Sequence, residues 1–228
     1  MIQTSAKADA ANPDPLRFEN EIKEFEEADR KQFPAAGGAL FYGSSSFRMW
    51  KTMENDFAPL PVIRRGFGGS HMSDAVFFAS RAALPYKPKV VVVYEGDNDI
   101  ASGKSPEQVL ADFKKLAAMV HSKLPRTKIL YVSIKASLSR WKLAAEIRKA
   151  NALIEDFAKG DKRLGYINVF NSMLGPDGRP RADLLLSDEL HPSPACYQLW
   201  TRLIRPEVEK ALRAPDAQKG FRRGVESR

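Results

Sequence analysis

Residues 90–99 read VVVVYEGDND, an apolar run that ends in a cluster of polar side chains. Five consecutive apolar residues rich in β-branched types are typical of a strand buried on both faces of a parallel sheet. Helical patterns separate this run from its neighbours, so the sequence predicts a three-layer α/β/α fold with a five-stranded parallel sheet. The other four predicted strands lie at 39–42, 61–63, 129–134 and 166–170.

Four longer helices are predicted around these strands. The clearest spans 105–123, where Ser105 is the N-cap, Pro106 occupies the first turn and Gln108 completes a capping box. The others span 15–31, 141–159 and a last helix that begins at 193–194. Pro206 is predicted to kink or restart the last helix, because proline cannot donate the helical hydrogen bond. The stretch 47–56 is also helix-like.

The composition is that of an ordinary globular chain. It has 228 residues, 43% of them hydrophobic and 28% charged, which favours one domain. We predict an N-terminal helical extension over 1–34, the main domain over 35–212 and a basic tail over 213–228. The single cysteine, Cys196, excludes an intrachain disulfide. The three histidines leave few ligands for a metal site, so none is predicted.

The formal net charge is +8, which favours anionic partners. No segment interleaves aromatic residues with a dense basic run, so we predict no nucleic-acid partner. No run of 18 apolar residues predicts a membrane span. The first 15 residues contain no signal peptide as written, which favours the cytoplasm, whereas the small-residue run 5–11 is compatible with a trimmed leader and a periplasmic or secreted protein. Compartment and oligomeric state stay open.

Ligands of such sheets bind beyond the carboxyl ends of the strands, so the residues after each strand are the candidates. Ser45 follows the first strand in the turn Gly43-Ser44-Ser45-Ser46. A serine at a glycine-containing turn before a helix is well placed as a nucleophile, because the helix N-terminus favours developing negative charge. The alternative is a capping serine.

Two further turns carry hydrogen-bond donors. The second strand leads into Gly66-Phe67-Gly68-Gly69-Ser70-His71. The backbone N–H groups of this glycine-rich loop are able to face an anion. The alternative is an ordinary turn. The third strand leads to Asn98, whose side chain is able to donate to an oxyanion or to form a polar turn.

Asp188 and His191 complete the set. A spacing of three residues brings a carboxylate and an imidazole to one side of a turn, where the carboxylate orients the ring for proton transfer. Each turn alone is weak evidence. Together they supply a nucleophile, a base with its orienting group and oxyanion donors, which is what acyl transfer requires.

These residues resemble the SGNH hydrolases, also called GDSL-type esterases and lipases. Gly43-Ser44-Ser45 corresponds to the first sequence block of that family, with Ser44 in place of its aspartate. Gly69 corresponds to the oxyanion glycine of the second block, with Gly68 as its rival. The third block, Gly-x-Asn-Asp, is matched by Gly96-Asp97-Asn98-Asp99, and Asp188 with His191 matches the fifth. The stretches 41–50 and 187–200 look like the branch of platelet-activating-factor acetylhydrolase and lysophospholipases.

The resemblance implies a flavodoxin-like sheet, no cofactor and no metal. It implies a serine esterase with a Ser45, His191 and Asp188 triad, and an oxyanion hole formed by Ser45, Gly69 and Asn98. Its substrate would be a small-molecule or carbohydrate ester.

Candidate substrate contacts flank this set. They are Ser44, His71 and the loop residues Arg140 and Trp141. The alternative for Trp141 is that it begins the following helix and packs inward. No segment reads as a large hydrophobic lid, which favours short acyl groups such as acetyl.

Two alternatives remain. A sugar O-deacetylase or an acyltransferase would use the same triad, whereas a non-catalytic basic binding module would not need it.

Overall fold

The computed structural model describes residues 11–214, which form an α/β fold around one parallel sheet. The five strands lie in the order β2-β1-β3-β4-β5, and each neighbouring pair is parallel. The strands are β1 (Ala39–Gly43), β2 (Val62–Gly66), β3 (Val90–Tyr94), β4 (Lys128–Val132) and β5 (Leu164–Ile167).

Eight α-helices accompany the sheet in this part of the chain. They are α1 (Glu19–Lys31), α2 (Ser45–Arg48), α3 (Met53–Phe57), α4 (Met72–Ala82), α5 (Asp97–Ala101), α6 (Pro106–Lys123), α7 (Ala144–Lys159) and α8 (Pro194–Arg213).

Helices cover both faces of the sheet, as predicted. Tyr131 of β4 lies beside Val93 in the parallel register and contacts Phe113 of α6. Tyr94, the next residue of β3, contacts Trp200 of α8. Successive strand residues point to opposite faces, so α6 and α8 lie on opposite sides. The β3 side chains are completely or almost completely buried, which explains the uninterrupted apolar run.

Several predicted bounds were wrong. β5 spans Leu164–Ile167 rather than 166–170, because the chain turns away after Ile167 and the Ser133 hydroxyl accepts hydrogen bonds from the backbone N–H groups of Val169 and Phe170. The helix-like stretch 47–56 forms two short helices, α2 and α3.

Two helices also differ from expectation. Helix α4, which connects β2 to β3, was not among the predicted helices. Helix α8 continues through Pro206 as one element, so the predicted restart does not occur. Pro206 has no N–H group, so the Arg202 carbonyl has no partner within the helix. Both residues are exposed, so solvent is able to hydrogen-bond to that carbonyl.

The N-terminal extension forms a 3₁₀ turn over Pro15–Phe18 and then α1. Phe18 and Ile22 belong to the hydrophobic core. The division of the chain into an extension and a main domain stays a prediction. The predicted tail and the small-residue run at 5–11 lie almost entirely outside the described residues, and Arg213 still belongs to α8. No helix between residues 11 and 214 is long and apolar enough to span a bilayer.

Candidate active site

Three loops meet where β1, β2 and β3 end together. Gly43 pairs with Gly66 on one side and with Tyr94 on the other, so the following residues emerge at one edge of the sheet. Gly43 has a φ of +144°, and a Cβ there would lie 2.1 Å from the Tyr94 carbonyl oxygen. Only glycine allows this close approach, and Ser45 lies two residues after it.

Ser45 begins α2 and faces His191, which approaches from the loop before α8. The Ser45 Oγ and His191 Nε2 atoms are 3.1 Å apart. The loop carrying His191 is closed by a bridge between Leu185 and Pro192 and by the Leu186 N–H donating to the His191 carbonyl at 2.8 Å. A local hairpin-like loop therefore sets the position of the imidazole.

Asp188 holds the other edge of that imidazole. Its Oδ2 lies 2.6 Å from His191 Nδ1, and its Oδ1 accepts the backbone N–H groups of Leu190 and His191 at 2.9 Å each. These hydrogen bonds, first that from the His191 side chain, lower the pKa of Asp188 to about 2. An ionised carboxylate only accepts, so Nδ1 is the donor in this contact, and in the neutral imidazole Nε2 then has its lone pair toward Ser45.

Asn98 connects the three loops. Its Nδ2 donates to the Ser70 carbonyl at 3.0 Å and to the Ser44 Oγ at 3.3 Å. Arg140 donates to its Oδ1 at 2.9 Å. Because a guanidinium only donates, this contact fixes the amide with Nδ2 toward the turn that carries Ser45.

Gly69 and Gly68 differ in what their backbone N–H groups contact. The Gly68 N–H donates to Glu21 Oε2 at 3.1 Å. For the Gly69 N–H, no acceptor is present within residues 11–214. Gly69 has a φ of +73° and open space where a Cβ would lie. Of the two glycines, Gly69 is therefore the one with an available donor.

Ionised side chains on both sides of Asn98 hold its backbone neighbours, Asp97 and Asp99, in place. Arg140 also donates to Asp97 Oδ1 at 2.7 Å, and Lys135 forms a buried ion pair with Asp97. Burial alone would raise the pKa of Asp97, but Lys135 and Arg140 outweigh it and lower that pKa to about 2. On the other side of Asn98, Asp99 pairs with Lys104 at 2.8 Å and accepts the Met72 N–H.

The four predicted substrate contacts occupy different environments. Ser44 is 2% exposed and contacts Asn98, and His71 is 9% exposed. Burial lowers the pKa of His71, although nearby Asp99 opposes this. Arg140 orients Asn98, and Trp141 begins a 3₁₀ turn and stacks on Phe170. Direct substrate contact by these residues stays a prediction.

The buried groups that connect the loops were not predicted from the sequence. Glu95 is completely buried, and its Oε1 accepts the Ser70 hydroxyl at 2.5 Å. Lys104 and Lys135, also missed, neutralise Asp99 and Asp97. Lys135 follows β4 at the same edge of the sheet, and that position was the available signal. No group of three or more His, Cys, Asp and Glu side chains in the described chain is arranged to hold a metal ion.

Glu95 predicts a pH-dependent stability. Burial, reinforced by the negative charge of Asp99, raises the pKa of Glu95 well above its usual range. The folded protein keeps this proton at a pH where the unfolded chain releases it, so Glu95 makes the folded state less stable as the pH rises above about 4. Glu95→Gln cannot ionise and keeps an acceptor for Ser70. We therefore expect its Tm relative to wild type to increase from pH 4 to pH 8.

Thermal unfolding at both pH values checks this expectation. Glu207→Gln, on the exposed surface of α8, is the matched control and should show a nearly constant difference from wild type. A Glu95→Gln difference that is the same at pH 4 and pH 8 would contradict the assignment of a neutral Glu95.

Comparison with known proteins identifies the family. The profile described as GDSL-like lipase/acylhydrolase matches residues 35–199. The chain belongs to this family. The GDSL-like family consists of acylhydrolases, and the chain is a carboxylic ester hydrolase. A search of curated proteins found no match.

Solved structures share the fold of this GDSL-like hydrolase. A candidate platelet activating factor from Streptococcus pneumonia has a TM-score of 0.75 and 17% identity, covering 85% of this chain and 94% of its own. A GDSL-like lipase from Bacteroides thetaiotaomicron has a TM-score of 0.70 and 20% identity, covering 87% and 98%. An acetyl xylan esterase has a TM-score of 0.63 and 16% identity, covering 75% and 98%.

Proposed function

We propose that this hydrolase cleaves short-chain carboxylic esters, acetyl esters above all, through a covalent acyl-enzyme on Ser45. The observation that carries the proposal is the continuous contact from Ser45 to His191 to Asp188, at 3.1 and 2.6 Å. The Asp188 carboxylate accepts the Nδ1 proton of His191, which leaves Nε2 as the acceptor of the Ser45 proton.

The first half of the reaction forms the acyl-enzyme. Ser45 Oγ bonds to the ester carbonyl carbon as its proton passes to His191 Nε2, and the Asp188 carboxylate stabilises the charged imidazole. The ester bond then breaks, and His191 returns the proton to the leaving alcohol. In the second half, water attacks the acyl carbon, gives a proton to His191 and releases the acid with Ser45 restored.

The oxyanion is stabilised by three donors in this proposal. The backbone N–H of Ser45 belongs to the first residue of α2 and has no helical carbonyl to bind. The Gly69 N–H and the Asn98 side chain complete the set. Removing one such donor typically raises the barrier by about 3–4 kcal/mol, so these groups supply a large part of the rate enhancement.

Short acyl groups are favoured by the polar surroundings of Ser45. Ser45 Oγ contacts His191, and the adjacent Ser44 contacts Asn98. A groove of about 750 Å³ lies between α1 and the β2 edge, and it is lined by charged residues such as Arg48 and Glu54 and not by the triad. One structural neighbour is an acetyl xylan esterase, which supports an acetylated carbohydrate as one candidate substrate.

Acyl-chain dependence tests this assignment. We expect kcat/KM for p-nitrophenyl acetate to exceed that for p-nitrophenyl octanoate by at least about 10-fold. The longer chain would cover polar groups such as Ser44 and Asn98 and remove them from water without a compensating hydrogen bond, which costs free energy. Initial rates at pH 8, with Ser45→Ala at the same concentration as the background control, measure the ratio. A preference for octanoate would contradict the short-chain assignment while leaving the ester hydrolase assignment intact.

A deacetylase or acyltransferase would use the same groups with a different acceptor or substrate. Product analysis with acetylated xylo-oligosaccharide, and with an added alcohol acceptor, separates these outcomes from simple hydrolysis. Release of free acetate from the glycan would support the deacetylase, and transfer of acetyl to the alcohol in preference to water would support the transferase.

A further inference from the structure

The N-terminal segment contacts the loop that contains Gly69. This segment, the 3₁₀ turn and α1 over residues 15–31, precedes the family match, which begins at residue 35. Residues 67–71 are called the β2 loop here. Its contacts with the segment are specific and lie at both ends of the loop.

The first end is held at Phe67 and Gly68. The ring of Phe18 packs edge-on against Phe67 at a centroid distance of 5.3 Å. Glu21 Oε2 accepts the Gly68 N–H at 3.1 Å. Glu21 therefore contacts the backbone directly before Gly69, the residue with the available donor.

The second end is held through Asp74 of α4. Arg17 forms an ion pair with Asp74, whose side chain is 1% exposed. Asp74 Oδ2 in turn accepts the His71 N–H at 2.8 Å. The N-terminal segment thus acts on the loop directly at one end and through a helix cap at the other.

Glu21 also connects the β2 loop to the turn that carries Ser45. Arg48, at the end of α2, lies 3.4 Å from Glu21 Oε2. The Arg48 guanidinium packs so closely on Gly68 that a Cβ there would lie 2.6 Å from its central carbon. Glu21 therefore contacts both the loop with Gly69 and the helix that begins at Ser45.

We propose that Glu21 is a positioning residue, which holds the Gly68–Gly69 backbone so that the Gly69 N–H faces the ester carbonyl attacked by Ser45. This inference rests on the proposed function. Two consecutive glycines give the loop wide conformational freedom, and Gly69 is in the left-handed region. Oxyanion donors accelerate a reaction only when they are oriented before it begins, and a displacement of about 1 Å is enough to lower the rate strongly.

Substitution of Glu21 tests the proposal. Glu21→Ala removes the acceptor, and we expect kcat for p-nitrophenyl acetate to fall about 10-fold with little change in KM. Glu21→Gln keeps an acceptor oxygen for the Gly68 N–H and should restore most of kcat. Phe18 and Ile22 still anchor the segment in the core, so Glu21→Ala is expected to fold.

Glu19→Ala is the matched control. Glu19 lies on the same helix and pairs with Arg81 of α4 at 2.7 Å, without contact to the β2 loop. We expect kcat to remain at the wild-type value, even if Tm falls. Equal kcat values for Glu21→Ala and Glu19→Ala would overturn the proposal. Full activity in Ser45→Ala would instead overturn the proposed function, so the two failures are distinguishable.

Discussion

Replacing Ser45 with alanine is expected to lower kcat for p-nitrophenyl acetate by about 10⁴-fold. The variant lacks the hydroxyl that forms the acyl-enzyme, whereas the oxyanion donors remain and give only residual catalysis. Ser45 is partly exposed and its Oγ contacts His191, so the loss should appear in kcat without a large change in Tm. Purified wild type and variant, assayed at one concentration, measure the effect.

The neighbouring serine supplies the control for this prediction. Ser46 is 1% exposed, and its carbonyl accepts the Tyr197 hydroxyl at 2.8 Å. Ser46→Ala should keep kcat within a few-fold of wild type, because its hydroxyl is not the atom that faces His191. Retained activity in Ser45→Ala together with a loss in Ser46→Ala would contradict the choice of nucleophile.

Replacing His191 with alanine is expected to lower kcat by a similar factor, about 10³–10⁴-fold. Without the imidazole, the Ser45 proton has no acceptor at 3.1 Å, and the leaving alcohol receives no proton. The two residues act as one unit, so the double variant should be almost as active as either single variant. Kinetics of both single variants and the double variant provide this measurement.

His121 is the matched control for His191. Its Nε2 lies 3.0 Å from the Thr127 carbonyl near the end of α6, remote from the strand ends that carry the site. His121→Ala should retain kcat. If the kcat losses of Ser45→Ala and His191→Ala instead multiply in the double variant, the two groups do not share one proton-transfer step.

Local patterns predicted the parts of the fold that depend on local physics. The β3 run is buried on both faces, so its composition alone identified it, and the Ser105 capping box identified the start of α6 within one residue. The end of β5 depends on Ser133, more than 30 residues away, which binds the N–H groups of residues 169 and 170. A strand end set by a distant side chain has no local signal.

The same distinction applies to the site. Asp188 and His191 are three residues apart, so their pairing follows from a turn. The contact of Glu21 with Gly68 and that of Arg140 with Asn98 join residues 47 and 42 positions apart. Only the folded sheet brings them together. Gly69 and Gly68 were rivals in the sequence, and in the structure it is the Gly68 N–H that donates to Glu21.

The position of a covalent adduct shows most directly whether Ser45 is the nucleophile. The wild-type protein is treated with a fluorophosphonate, digested, and fragmented by mass spectrometry finely enough to separate Ser44, Ser45 and Ser46. We expect one adduct, on Ser45, with strongly slowed labelling in His191→Ala. An adduct on any other serine, or full esterase activity in protein that carries the adduct on Ser45, would contradict this assignment.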